Sequence, residues 1–447
     1  MRLNFTIEQI AKITGGTLQA KAPQTKITAF VTDSRAVSAG DGFIALKGER
    51  LDARQFIPDV LKKGAAVVIA QEGYTGPIPD TASFVWVKDP KKALQALAKY
   101  HRMHSTLKVA AITGSNGKST TKQMLRSICS VAGTTVANMG NLNNQFGVPF
   151  SLLEIQPKHQ YGVFELGASH KGDIEETASL AVPDVAVITN VGPSHLEFFH
   201  DLETVYQTKI EIAKCLKKGG TLVYNSDNEY LARLDKEFTG NSISFGFGPN
   251  AKLRVLETEK FAFIYNGQAY LLDIVLEKHD KLNAAAACAA AFALGIGAAA
   301  IKEGLLSFTP MPMRLERVTK GNTHYILDCY NANPASMQNA LEILGRSPEL
   351  PHIAVLGDMK ELGKTSKEYH RQVARQILDA HATYVFLAGP EMKYCYERLQ
   401  DVTGLYIWYG QTPAEWTADL KKVVQKGGTC LIKASHSMNF ENVFKEM

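Results

Sequence analysis

What the 447-residue sequence lacks narrows its class first. Cysteine occurs only six times, at Cys129, Cys215, Cys288, Cys329, Cys395 and Cys430, with no C-x-x-C pair. That scatter excludes a disulfide scaffold and a zinc finger, and free thiols in a reducing cytoplasm are expected. No charge of one sign dominates, since 49 Lys and Arg face 44 Asp and Glu. The balance is too even for a nucleic-acid binder, while the residual +5 suits small anionic substrates. An apolar signal core is also missing, because Glu8 and Lys12 interrupt it. The one uncharged stretch near spanning length, residues 282–301, is rich in alanine and broken by Asn283, Gly295 and Gly297. It reads as a buried helix, a turn and a second helix, so no membrane insertion is expected.

What is present is an α/β pattern long enough for about three domains. The expected divisions are residues 1–88, 89–313 and 314–447. In the first, a helix over 6–14, strands at 29–31, 42–46, 66–69 and 84–87 and a helix near 56–63 make a small α/β unit. A connecting helix follows over 89–104, with Ala93, Leu94, Leu97 and Ala98 at helical spacing.

The richest stretch is Val109-Ala-Ala-Ile-Thr-Gly-Ser-Asn-Gly-Lys-Ser-Thr-Thr121, an apolar strand running through a glycine loop into an amphipathic helix. Gly114 and Gly117 permit a tight turn, so that backbone N–H groups and a helix N-terminus can face an anion. Lys118 adds a cation and Ser119 a hydroxyl. The phosphate-loop pattern G-x-x-x-x-G-K-[ST] asks for glycine at 112, where this chain has Ile112. Downstream, Met124, Leu125, Ile128 and Val131 form the expected core stripe of the helix.

Residues 138–149 make a polar loop with four asparagines. Strands over 161–166 and 184–189 then end in candidate ligand residues, as open α/β sheets arrange them. Glu165 lies in an apolar strand, where a carboxylate needs a cationic partner such as Mg²⁺ or a lysine. His195 follows the second strand. The helix over 201–216 carries Lys209 and Glu211, and by pattern Lys209 is a solvated helix lysine. A strand at 221–227 continues the repeat, and residues 242–275 read as a small antiparallel appendage. After the Met311-Pro-Met313 hinge, five strands at 323–328, 352–357, 384–389, 405–410 and 429–435 alternate with helices, a doubly wound unit. It has no G-x-G-x-x-G, so NAD is not its ligand.

In chain order, Asp33-Ser-Arg35, Gly114-Ser-Asn-Gly-Lys-Ser-Thr120, Asn141-Leu-Asn-Asn144, Glu165-Leu-Gly167, Asn190-Val-Gly-Pro-Ser-His195, His279 with Asn283, and Asp328-Cys-Tyr-Asn-Ala-Asn-Pro334 resemble the Mur ligases over nearly the whole chain. Tyr330-Asn-Ala-Asn-Pro334 and Leu356-Gly-Asp-Met-Lys-Glu-Leu-Gly363 are similar to the type that adds D-alanyl-D-alanine. The resemblance implies a small N-terminal α/β substrate domain, a central phosphate-loop ATPase with a parallel sheet and a C-terminal Rossmann-like domain. It implies ATP-dependent joining of D-alanyl-D-alanine to UDP-N-acetylmuramoyl-tripeptide through an acyl phosphate, by a cytoplasmic monomer in peptidoglycan precursor synthesis.

By the same resemblance, ATP would contact Gly114, Ser115, Asn116, Gly117, Lys118, Ser119 and Thr120, with Asn283 on adenine, Arg314 on phosphates and Asp328 on ribose. Ser119 and Glu165 would serve one Mg²⁺, and His195 with a carbamylated Lys209 a second. Lys118, Lys209 and His195 would be catalytic, and Ser34, Asn141, Asn144 and Asn331 would bind substrate. Three places depart from the family pattern: Asp52-Ala-Arg54 for Asp-Gly-His, Asp280 after His279 for asparagine, and Lys433-Ala-Ser-His436 for Lys-Gly-Ser-Arg. A sister Mur-type or folylpolyglutamate synthase-like ligase would share the loop, Glu165 and the modified lysine; the Tyr330–Pro334 motif argues against it. A nucleotide-dependent kinase or a non-catalytic regulator would share the loop, but a second metal set would be surplus in a regulator.

Overall fold

The computed structural model describes residues 5–48 and 51–447, whose strands form three sheets. The first runs Thr17–Gln19, Phe84–Val87, Val67–Gln71, Gly42–Ile44, Phe30–Val31, and only its Thr17–Gln19 edge is antiparallel. That three-residue edge strand was not expected; it is too short and too exposed to show a period. The opening helix is Ile7–Thr14, with Thr6 as its N-cap in a capping box with Gln9.

The central sheet has nine strands, in the order Gln268–Val275, Lys260–Tyr265, Leu253–Val255, Asn241–Gly246, Thr221–Asn225, Val185–Ile188, Lys108–Thr113, Tyr161–Glu165, Thr135–Ala137. It is parallel from Thr135–Ala137 through Leu253–Val255 and antiparallel beyond. The expected parallel sheet is present, and the expected antiparallel strands fall within residues 242–275. One expectation is corrected: that segment is the edge of the same sheet rather than an appendage, because Asn241–Gly246 pairs in parallel with Thr221–Asn225 and carries the ladder outward. The alanine-rich segment is the buried helix Lys278–Ala293, then a turn and the helix Ala298–Leu306. No described helix is long and apolar enough to cross a membrane.

The helix Lys118–Ala132, which follows the glycine loop, turns Met124, Leu125, Ile128 and Cys129 inward. Val131, expected in this stripe, is 37% exposed, because the i, i+4 rows through 124–128 and 125–129 complete the buried face without it. Against it packs Ala298–Leu306, where a Cβ on Gly304 would stand 2.3 Å from Ile128 Cα; only glycine allows that approach.

The third sheet is ordered Glu316–Lys320, Thr323–Asp328, Gly428–Lys433, His352–Gly357, Tyr384–Ala388, Tyr406–Gly410. The five expected strands are parallel, and Glu316–Lys320 adds an antiparallel edge. Separate apolar clusters cover its two faces, as a doubly wound unit requires.

The connecting helix Pro90–Met103 is part of the core. Ala93, Leu94, Leu97 and Ala98 join Ile44, Ile69 and Val85 of the first sheet to Val109, Ala111, Phe164 and Ile188 of the central sheet in one cluster. Charge reinforces the same junction. Glu176, on the helix Asp173–Ala181, lies 3.1 Å from Lys91 and 3.0 Å from Lys92, and accepts from Gln95 at 2.9 Å. Partial burial would push its pKa up, but Gln95, Lys92 and Lys91 prevail and hold it at about 2, against 4.5 for a free glutamate. A depressed carboxylate pKa contributes stability above the unfolded value and loses it as pH falls toward the folded value. Glu176→Gln is therefore expected to lower unfolding stability at pH 7 by about 1 kcal/mol after allowance for solvent screening. Denaturant unfolding of both proteins should show that difference shrinking between pH 4.5 and 2.

Candidate active site

Strand Lys108–Thr113 delivers the glycine loop to the C-terminal edge of the central sheet. Both loop glycines are required. Gly114 has φ 143°, and a Cβ there would fall 2.0 Å from Thr189 Oγ1; Gly117 has φ 77°, and its Cβ would fall 2.2 Å from Asn283 Oδ1. The loop is fastened to the next strand's exit. Asn116 N donates to Asn190 Oδ1 at 2.8 Å, Thr189 Oγ1 donates to Asn116 O at 2.5 Å, and Ser115 Oγ exchanges hydrogen bonds with Gly192 O and N. Thus Asn190-Val-Gly-Pro-Ser shapes the phosphate loop. Helix Lys118–Ala132 starts at Gly117 with no side-chain cap, so its first amides are left to a ligand.

Around this loop the charge is lopsided. Glu165 is 3% exposed and accepts from Ser119 Oγ at 2.7 Å and from Asn143 Nδ2 at 2.8 Å, with Lys122 Nζ at 3.7 Å. Burial would raise its pKa, but Lys118, Lys122, Ser119 and Asn143 together hold it below the ordinary range. Burial lowers the pKa of Lys118 and of Lys122; the Glu165 charge opposes this and Arg314 reinforces it. Three cations therefore surround one carboxylate. Lys118 Nζ donates to the loop carbonyls of Gly114 and Ser115, at 2.8 and 3.1 Å. Sequence reasoning missed Lys122 and Asn143, although Lys122 stands one turn after Lys118 on the same helix face.

Arg314 enters from the third unit. Its Nη2 donates to Ser119 Oγ at 2.8 Å, and its guanidinium lies 3.8 Å from the centre of the Tyr330 ring. Its Nε is buried without a partner among the described residues, a donor waiting for an acceptor. Met313 and Leu315 on either side have φ of 59° and 52°, so the expected hinge bends at Arg314 itself. Asn333 Nδ2 donates to Asn116 Oδ1 at 2.7 Å, a second bond between the units. Lys433, 1% exposed, lies 2.5 Å from Asp328 and donates to Asn331 O at 3.0 Å. His436, where the resemblance expects arginine, stacks near Tyr330 at 5.7 Å.

These groups line a cleft of about 810 Å³ between the central and third units. Of the residues expected at the site, Ser115–Thr120, Asn141, Asn144, Glu165, His195, Asn283, Arg314, Asp328 and Asn331 are on its wall. Gly114 forms the loop's base. Ser34 is not on this wall; it sits in the first unit, with its carbonyl accepting from Lys63 Nζ at 2.8 Å. Asn144 has a local task, accepting from the amides of Phe146 and Gly147 as the helix Gly147–Leu153 begins. Asn283 keeps Oδ1 near Gly117 and Thr121 and donates from Nδ2 to Asp280 Oδ1 at 3.2 Å. Burial would lower the His279 pKa, but Asp280, 3.3 Å away, raises it. Arg54, at another departure, pairs with Asp52 at 2.6 Å.

Lys209 corrects the pattern-based expectation of a solvated lysine. It is 1% exposed, between the buried Val205 and Ile212 on the helix Leu202–Lys214, with Nζ 5.8 Å from the centre of the Phe199 ring, and unlike the other expected catalytic residues it does not line the cleft. Burial, and secondarily Lys118, push its pKa down to about 7, so charged and neutral amine coexist near neutral pH. Glu211 does not face it as a ligand: its carboxylate accepts from the amides of Gly172 and Glu175 at the start of the helix Asp173–Ala181. His195 has φ 53° and places Nδ1 2.5 Å from Glu361 of the third unit.

Family models match all three units: "Mur ligase family, catalytic domain" over residues 26–102, "Mur ligase middle domain" over 112–291 and "Mur ligase, glutamate ligase domain" over 313–436. The UDP-N-acetylmuramoyl-tripeptide--D-alanyl-D-alanine ligase of Escherichia coli (strain K12) is 32% identical, covering 100% of this chain and 98% of that protein. The chain belongs to the Mur ligase family. Among solved Mur ligases, MurF from Acinetobacter baumannii superposes with TM-score 0.92 at 32% identity, covering 100% and 99% of the two chains. MurF from Thermotoga maritima, in complex with ADP, gives TM-score 0.83 at 29% identity over 93% and 96%.

In this Mur ligase, Gly117→Ala places a methyl group against Asn283 in a left-handed backbone position. The variant is expected to bind ATP about 5- to 150-fold more weakly, from about 1–3 kcal/mol of backbone strain at the loop. Titration calorimetry with a non-hydrolysable ATP analogue measures it, and wild-type affinity would remove the loop from nucleotide binding.

Proposed function

We propose that this chain joins D-alanyl-D-alanine to UDP-N-acetylmuramoyl-tripeptide with ATP, forming an amide, ADP and phosphate in the cytoplasm. The observation that carries the reading is the cleft lined by Lys118, Arg314 and the one buried carboxylate of Glu165, with Lys122 buried 3.7 Å from that carboxylate, beside an uncapped helix start. Such a site lacks negative charge, and a triphosphate supplies it.

The chemistry needs the same excess. A peptide carboxylate must approach the γ-phosphorus, two anions brought together. Its oxygen forms the new O–P bond as the bond to the β-phosphate oxygen breaks and ADP leaves. Lys118 and Arg314 offset the charge that develops on the transferring group. The dipeptide's neutral amine then attacks the acyl carbon, phosphate departs, and the amine's proton is released. Asn333, bonded to Asn116, ties the third unit to the phosphate loop during this approach. The dipeptide would enter on the third unit's side, near Asn331, while Ser34, Asn141 and Asn144 would hold the UDP-sugar peptide.

The donor set suits Mg²⁺. Ser119 Oγ and a Glu165 oxygen are adjacent hard ligands, and Mg²⁺ uses one or two carboxylates with phosphate oxygens and water for the rest. When bound, Mg²⁺ neutralises phosphate charge. For a second ion, His195 would serve with Lys209. An ammonium at Lys209 could not bind a cation, but a neutral amine can take up CO₂ as a carbamate, and burial favours the neutral amine.

Two measurements test the reading. Phosphate release from ATP with UDP-N-acetylmuramoyl-tripeptide should depend on added D-alanyl-D-alanine, and release indifferent to the dipeptide would sink it. Lys209→Ala should reduce kcat by about 10- to 100-fold, as loss of a metal-supporting group does. Short-chain carboxylates should partly restore the rate by supplying the carbamate's oxygens; an undiminished rate would remove Lys209 from the mechanism.

A further inference from the structure

Glu361 belongs to the third unit, in the turn between the strand His352–Gly357 and the helix Ser366–Asp379, yet it bonds the central unit twice. Its carbonyl accepts from the Glu197 amide at 3.0 Å, and its Oε2 lies 2.5 Å from His195 Nδ1. Gly363 closes the same contact, since a Cβ there would stand 3.0 Å from Glu197 Cα. Both partners hold left-handed backbone, φ 53° at His195 and 63° at Glu361. Such conformations persist in non-glycine residues only where the surroundings enforce them.

The bond has a chemical consequence. An ionised carboxylate accepts and never donates, so the proton between the two groups sits on Nδ1. In the neutral imidazole the lone pair is then on Nε2, at the ring edge away from Glu361, and His195 lines the cleft. A carboxylate behind a histidine in this way fixes tautomer and ring orientation for a cation on the other nitrogen. Here the two halves come from units on opposite sides of the hinge at Arg314.

We propose that Glu361 is a positioning residue for His195: when the third unit closes on the central unit, its carboxylate fixes the Nδ1–H tautomer and presents the Nε2 lone pair to a cation accompanying the nucleotide phosphates. The proposal rests on the functional reading above. It makes the histidine competent only in the closed arrangement.

The test uses the full chain labelled with ¹⁵N-histidine, in the presence of ADP and the tripeptide substrate. Long-range ¹H–¹⁵N correlation reports each ring's tautomer, and His195→Gln identifies the His195 signals. The wild type is expected to show Nδ1–H at His195, and Glu361→Ala the commoner Nε2–H form. Glu361→Ala should also lower kcat by about 10- to 100-fold with KM for ATP little changed, and bind Mn²⁺ more weakly in the presence of ADP. Glu361→Gln, whose amide oxygen can still accept from Nδ1–H, should keep the tautomer and fall between the two. The Glu361 side chain is 47% exposed, so these variants should fold, which thermal melting checks. The same tautomer in wild type and Glu361→Ala, or a rise in KM alone, would reduce Glu361 to an interdomain contact and overturn the proposal. If the wild type ligates and Glu361→Ala matches it, this inference fails while the functional reading stands; if the wild type shows no dipeptide-dependent turnover, the reading itself fails.

Discussion

The Glu165 carboxylate, buried and bonded to Ser119, is the point on which the site depends. Without it, Lys118, Lys122 and Arg314 would be cations in a desolvated corner with no counter-charge, an arrangement that cannot be held without large pKa shifts. With it, the corner is tolerable but under-neutralised. That imbalance is what a polyphosphate relieves, so binding and local stability are linked through the same charges.

The surrounding architecture fixes those charges at different removes. The phosphate loop is set by the central sheet and by the strand exit at Thr189 and Asn190. Glu165 comes from the neighbouring strand and is oriented by the asparagine-rich loop through Asn143. Arg314, Asn333 and Glu361 come from the third unit. One part of the site is therefore present in the central unit alone, and the rest arrives with the third.

Much of this was legible because strong local patterns coincide with long elements: the loop between strand Lys108–Thr113 and helix Lys118–Ala132, the alanine-rich helix, and the five parallel strands of the third sheet. The misses have specific causes. Lys209 lies on the row Val205, Lys209, Ile212, so its burial was readable, but a lysine was weighed by type rather than by position. Val131 was counted in the stripe by spacing, while Cys129 completes the buried face. The Asn241–Val275 region lacked helical pattern, yet no local signal says that its first strand pairs in parallel with Thr221–Asn225. Glu361 was invisible for a deeper reason: its partner lies 166 positions away, across a chain reversal that no local pattern encodes.

Arg314 stands between two left-handed residues, at the bend where the third unit begins, and its guanidinium reaches Ser119 of the phosphate loop. The joint and the tool are thus the same residue. The bend that sets the direction of the third unit therefore also sets where this guanidinium falls, so the geometry of the joint and the charge beside the phosphate loop are not independent of each other.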